Sequence, residues 1–106
     1  MKLILAILQE EDAPSAVQAL VARGYRVTRI ASTGGFLRQG NTTLLIGVED
    51  AQVPEVVEIL RRFCRTRTAY MPVAVEATGL LQAHMIEVEV GGATLFVLDV
   101  ERFETL

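Results

Sequence analysis

Residues Tyr25 to Val48 read YRVTRIASTGGFLRQGNTTLLIGV, two β-forming stretches on either side of a glycine-rich break. On the first side Tyr25, Val27 and Arg29 alternate with Arg26, Thr28 and Ile30, the period of two expected of a strand that runs on to about Thr33. Its two faces are not cleanly apolar and polar. Gly34, Gly35 and Gly40 then place three glycines within seven residues, which reads as a loop. Thr42 to Val48 resumes a β-rich run, so the two strands are expected to pair across that loop.

Working outward, residues 2 to 9 form an apolar run of β-branched and leucine side chains that reads as a buried strand. Gln9-Glu10-Glu11-Asp12 follows it with the acidic charge that suits a helix N-terminus. A helix is expected from about Asp12 to Arg23, with Val17, Leu20 and Val21 on one face, Pro14 in the first turn and Gly24 at the C-terminal cap. Downstream, Asp50 is placed to cap a second helix from about Gln52 to Arg65, where Val53, Val56, Val57, Leu60, Phe63 and Cys64 repeat at three-and-four spacing. A strand-like stretch near Ala69 to Val75 precedes a loop. Met85 to Val90 alternates, and Gly91-Gly92 supplies a two-residue turn into an apolar strand from Ala93 to Val100, which predicts a β-hairpin. The order strand, helix, strand, strand, helix, strand is the split βαβ arrangement of an α+β, ferredoxin-like fold, βαββαβ, with an added C-terminal hairpin strand.

At 106 residues the chain suits a single domain over 1–106. It is 51% hydrophobic and 22% charged, so it can bury a sizeable core, and so apolar a small chain is expected to cover part of its surface with copies of itself. No continuous run of 18 apolar residues suggests membrane insertion. The apolar start is too short for a secretion signal and lacks a cleavage site, which predicts a cytoplasmic location. Cys64 is the only cysteine, which excludes an intramolecular disulfide and a thiolate-rich metal site within one chain. The net charge of -3 argues against a nucleic acid polymer as partner, because such binding needs an excess of Lys and Arg.

Thr33 to Thr43 carries the most chemistry. Glycines allow the backbone to approach a ligand closely with its N–H groups directed at phosphate oxygens, while Arg38, Asn41 and the Thr hydroxyls add donors. Phe36 and Leu37 offer an aromatic face and an aliphatic side chain on which a purine can stack. Phosphate and base together indicate a nucleotide. The plainer reading is a hairpin loop whose Phe36 packs on a neighbouring subunit. No Gly-Lys-Ser/Thr occurs, so phosphoryl transfer of the Walker type has no support.

Arg26-Val27-Thr28, the run Thr33 to Thr43, Gly47-Val48, and Val88-Glu89-Val90-Gly91-Gly92-Ala93-Thr94 followed by Phe96-Val97-Leu98 together resemble the cyclic-di-AMP receptor family of PII-like signal-transduction proteins. The resemblance covers essentially the whole chain. It implies a PII-like homotrimer that catalyses nothing and needs no cofactor, with the nucleotide second messenger cyclic di-AMP held in each cleft between subunits. It also implies a downstream protein partner, which the sequence does not identify. Carried over, Arg26 and Thr28 would contact phosphate or ribose, Gly35, Phe36 and Leu37 would hold and cover an adenine, and Asn41 and Gly47 would add polar and backbone contacts. The stretch from Arg65 to Met85 is shorter than in well-recognised receptors. The tail, Phe103-Glu104-Thr105-Leu106, offers no amide side chain where receptors often supply one more base contact.

Other readings stand beside this one. A PII-like sensor of a different adenine nucleotide or a small anion fits the same loop, and a plain trimeric scaffold fits its apolar residues. An enzyme would have to use Glu87, Glu89 or His84, for which no nucleophile, base and orienting group can be named together. His84 has only Glu87 at ligand spacing, so no metal site is expected. Arg61, Arg62, Arg65 and Arg67 crowd the end of the second helix, where they complement its negative terminus or meet an acidic partner.

Overall fold

A computed structural model describes residues 1–32, 41–74 and 83–106, with the backbone alone for 31–32, 69–74 and 83–90. Strand β1 (Lys2–Gln9) leads through a 3-10 turn (Glu10–Asp12) into helix α1 (Ala13–Ala22), then β2 (Val27–Ser32) and β3 (Asn41–Val48). A second 3-10 turn (Asp50–Gln52) opens helix α2 (Val53–Phe63), and β4 (Arg67–Ala74), β5 (Ala83–Val90) and β6 (Ala93–Asp99) follow.

β2, β3, β1 and β6 form one antiparallel sheet in that order. This is the ferredoxin-like frame, with β1, α1, β2, β3, α2 and β6 as its βαββαβ. The expected pairing of β2 with β3 is present, with Val27 opposite Ile46 and Ser32 opposite Asn41. The expected hairpin between the last two strands is not. β5 pairs with β4 in a separate two-stranded ladder, and β6 pairs with the free edge of β1 from Lys2↔Asp99 to Leu8↔Ala93. A local turn signal competes here with a seven-residue register along an open edge, and the edge wins.

Gly91 and Gly92 make the transfer between the two sheets. Both have positive φ, 92° and 80°, which side chains disfavour. The Gly92 N–H donates to the Cys64 carbonyl, tying the crossing to the end of α2. A Cβ on Gly91 would collide with the Arg65 carbonyl and lie 2.9 Å from the Arg67 guanidinium. Arg67 itself donates to both carboxylate oxygens of buried Asp12, at 3.1 and 3.4 Å, and to Glu11 at 3.0 Å, anchoring the start of β4 to the turn before α1. With two separate ladders the molecule is elongated, 61 × 25 × 20 Å.

Both helices lie on one face of the sheet. Ile4, Ala6 and Leu8 from β1 and Leu44, Ile46 and Val48 from β3 alternate inward and meet Ala13, Ala16 and Leu20 of α1 and Val56, Leu60 and Cys64 of α2. Burying a leucine such as Leu60 stabilises the fold enough that truncation to Ala costs about 2–5 kcal/mol. Val21, expected on the buried face of α1, is 55% exposed; Ala13 and Ala16 take that role with Leu20. Gly24, with φ 88°, ends α1 as expected. The 3-10 turn that leads into α2 is capped by Glu49 rather than Asp50: the Glu49 side chain accepts from the Gln52 N–H while the Gln52 side chain accepts from the Glu49 N–H, a reciprocal capping box.

Among the described residues no helix lies on the other face of the sheet. β1 is apolar on both sides, so Leu3, Leu5 and Ile7 point there, half-buried only by their neighbours. By register Leu45 and Phe96 flank Leu5, and Gly47 and Leu98 flank Leu3. Phe96 and Leu98 are 51% and 47% exposed.

Candidate functional site

At one end of this open face the chain forms a groove of about 670 Å³, within the range of small-molecule sites. Alternation along β2 puts Arg26 and Thr28 on the same side, and the register places Thr28 opposite Leu45 and, one step beyond Val27↔Ile46, Arg26 opposite Gly47. All four line the groove. Leu3 forms part of its floor. Gly24, Tyr25 and Gln52 form one wall, and Val100, Phe103 and Thr105 of the C-terminal tail form the other.

Two features equip this groove for a ligand. Arg26 and Thr28 are exposed, and among the described residues Arg26 enters none of the ion pairs, so a cation and a hydroxyl stand ready beside apolar walls. Gly47 is the second. Its φ is not in the positive range, and a Cβ there would meet only Met1 Cε at 3.7 Å, an ordinary contact. Nothing among the described residues requires glycine at this position, so the bare backbone leaves room for something outside them.

The wall is held by a small polar network. Arg23 donates to both oxygens of Glu55, at 3.0 and 3.2 Å, and the Tyr25 hydroxyl also donates to that carboxylate. Arg23 first, then Tyr25, hold the Glu55 carboxyl below its usual range. Burial, then the bond to Glu55, pushes the Tyr25 hydroxyl upward, so it stays protonated and keeps donating. The link joins α2 to the chain just before β2, where Arg26 is presented.

The expected site residues divide. Arg26, Thr28 and Gly47 converge in the groove. Asn41 lies on the same face but at the far end of β3, opposite Gln9 and Ser32. Six residues of strand separate it from Gly47, roughly 20 Å at about 3.4 Å per residue. Gly35, Phe36 and Leu37 lie outside the described residues, as does Arg38. Thr42 is corrected: it points into the core, fully buried, with its hydroxyl unpaired, so only Thr43 of the two threonines faces outward. Tyr25, Gln52 and Phe103 were not expected. Gln52 carried a signal, since Glu49-x-x-Gln52 has capping-box spacing; Phe103 is an aromatic isolated in a polar tail.

Of the arginines expected at the end of α2, Arg62, Arg65 and Arg67 line one shallow depression together. Arg61 pairs with Glu58 at 3.0 Å and Arg67 with Asp12 and Glu11. The side chains of His84, Glu87 and Glu89 are outside the described ones. Among the described residues no three His, Cys, Asp or Glu side chains are grouped to hold a metal ion. Also among them, no helix is long and apolar enough to cross a membrane.

A ferredoxin-like α+β frame with a nucleotide-sized groove on its open face defines the structural class. Within that class the chain belongs to the cyclic-di-AMP receptor family, whose sequence profile matches residues 1–106. It is also similar to the crystal structure of a functionally unknown protein from Pediococcus pentosaceus, at 41% identity and a TM-score of 0.77, over 99% of this chain and 96% of that one.

Proposed function

We propose that this chain is a single PII-like domain that binds cyclic di-AMP in clefts between the subunits of a cytoplasmic homotrimer and signals without catalysis. The observation that carries the reading is the groove, where an arginine without an ion pair among the described residues, a hydroxyl and a strand glycine face apolar walls. Arg26 and Thr28 take a phosphate or ribose, Gly47 allows close approach, and Leu3, Leu45 and Phe103 accommodate a base. Gly35, Phe36, Leu37 and Asn41 then hold and cover the adenine.

The same surface supports the trimer. A strand apolar on both sides is built to be covered on both sides, and the helices cover one. Asn41 and Gly47 lie too far apart to touch the same base within one subunit, whereas a neighbour packed head to tail on the open face brings opposite ends together, and such contacts form a ring where the rotation between neighbours closes. Ligand bound across that junction orders the glycine loop and changes what a protein partner meets.

Titration calorimetry with cyclic di-AMP, and with ATP, ADP and cyclic di-GMP as controls, tests the ligand. Micromolar or tighter binding of cyclic di-AMP is expected; no heat from any of the four sinks the reading. Light scattering after gel filtration tests the assembly, with a mass of three times the 11.6 kDa chain expected. The tail wall, with Thr105 and no amide, favours a second reading, a sensor of another adenine nucleotide or small anion, which the same titrations separate.

A further inference from the structure

Gln52 is an exposed side chain on the groove wall, across from Phe103 and Thr105 of the tail. Its amide is not free to turn. The Glu49 backbone N–H is a donor and lies 2.9 Å from Gln52 Oε1, so the oxygen must face Glu49 and the NH₂ must be the other end. The reciprocal bond from the Gln52 N–H to the Glu49 carboxylate holds the whole turn in place. No protein partner for Nε2 is found among the described residues. The capping box of the turn before α2 therefore fixes in the groove a neutral group able to donate hydrogen bonds and unable to accept them.

Arg26 supplies the cation for phosphate, so the neutral amide is left to the base, beside Leu3, Leu45 and Phe103. We propose that Gln52 is a specificity-determining residue of the nucleotide site, donating from its side-chain NH₂ to a ring-nitrogen acceptor of the purine and thereby favouring adenine over guanine. This rests on the function proposed above. Adenine N1 is a bare acceptor, whereas guanine presents N1–H and an exocyclic NH₂ along the same edge, so a fixed donor meets donors there. A donor facing a donor leaves both buried groups unpaired.

The substitution that isolates this is Gln52→Glu. A glutamate oxygen still accepts from the Glu49 N–H, so the cap survives, but the end facing the ligand changes from donor to acceptor. The new negative charge weakens both cyclic di-AMP and cyclic di-GMP through their identical phosphates, so the informative quantity is the ratio of the two affinities, measured by competition calorimetry. That ratio is expected to fall by about tenfold or more, the range of a lost base contact. Gln52→Ala, which removes the donor without adding charge, is expected to lower it in the same direction, with thermal melting confirming that both variants fold. A ratio unchanged in both variants overturns the role of Gln52 while leaving the receptor reading intact. A wild-type protein that binds neither dinucleotide overturns both, and the two failures are told apart by the wild-type titration alone.

Discussion

Gly47→Ala separates the needs of the fold from the needs of the ligand. The added methyl group would meet only Met1 Cε, at 3.7 Å, and the backbone there has no positive φ to strain. Glycine in a strand costs about 0.5–1 kcal/mol relative to alanine through lost chain freedom, so the unliganded variant should be as stable as the parent or more so by that amount. Binding should move the opposite way. A methyl group placed where a ligand packs against bare backbone overfills the contact, at a cost of about 1–3 kcal/mol, or roughly a 5- to 150-fold weaker dissociation constant. The experiment is a thermal melt without ligand, a calorimetric titration with cyclic di-AMP, and light scattering to confirm that assembly is unchanged. Wild-type affinity in a correctly assembled Gly47→Ala protein would refute the reasoning, as would a melting temperature several degrees lower without ligand.

Arg26→Ala should weaken cyclic di-AMP by about 1.5–3 kcal/mol, the worth of a charged hydrogen bond, and flatten the dependence of affinity on salt, with the melting temperature unmoved because Arg26 pairs with nothing in the described fold. Retained salt sensitivity in titrations at low and high ionic strength would argue for another phosphate partner. Thr42→Val replaces a buried hydroxyl that has no hydrogen-bond partner with a methyl group of the same shape; chemical denaturation should show an equal or higher midpoint, by about 1 kcal/mol, and a clear loss would mean the hydroxyl is satisfied after all. Burial pushes the Cys64 thiol from its ordinary 9.0 up to about 11, and Tyr25 is also raised. Groups whose pKa rises on folding stabilise the fold fully below their unfolded pKa and lose that contribution as pH climbs through the folded one. Melting temperature should therefore fall between about pH 9 and 11, less steeply in Cys64→Ala; equal slopes in the two proteins would exclude Cys64 as a cause.

Much of the frame was legible because its signals are local. The apolar run of β1, the β-rich runs of β2 and β3, and the three-and-four spacing of Val56, Leu60 and Cys64 each depend only on near neighbours, and each falls where the sequence places it. What was misread depended on distant competition. Met85 to Val100 has every local mark of a hairpin, yet Ala93–Asp99 joins β1, more than eighty residues earlier, because only that pairing completes the sheet. Asp50 and Glu49 are equally plausible caps in sequence; the choice rests on which side chain Gln52 can reciprocate. The site shows the same division. Arg26, Thr28 and Gly47 could be named from a resemblance and Gln52 had its capping-box spacing, whereas Phe103 enters through the return of the tail, which no local pattern encodes.

The position of the groove also bears on how a ligand could be felt elsewhere. Its strand residues come from β1, β2 and β3, but its far wall is the tail that follows β6, and β6 is the strand recruited from the β4–β5 ladder through Gly91 and Gly92. A nucleotide pressing on Val100 or Phe103 therefore pushes on the edge strand whose other end is the glycine crossing. That crossing is held by the Gly92 bond to Cys64 and faces the Arg67 guanidinium, which in turn holds Asp12. Edge strands are the least restrained part of a sheet, since only one side is paired, so a small shift of β6 against β1 costs less than any shift among the central strands. Of the two edge strands, β2 and β6, only β6 joins the tail wall of the groove to the glycine crossing.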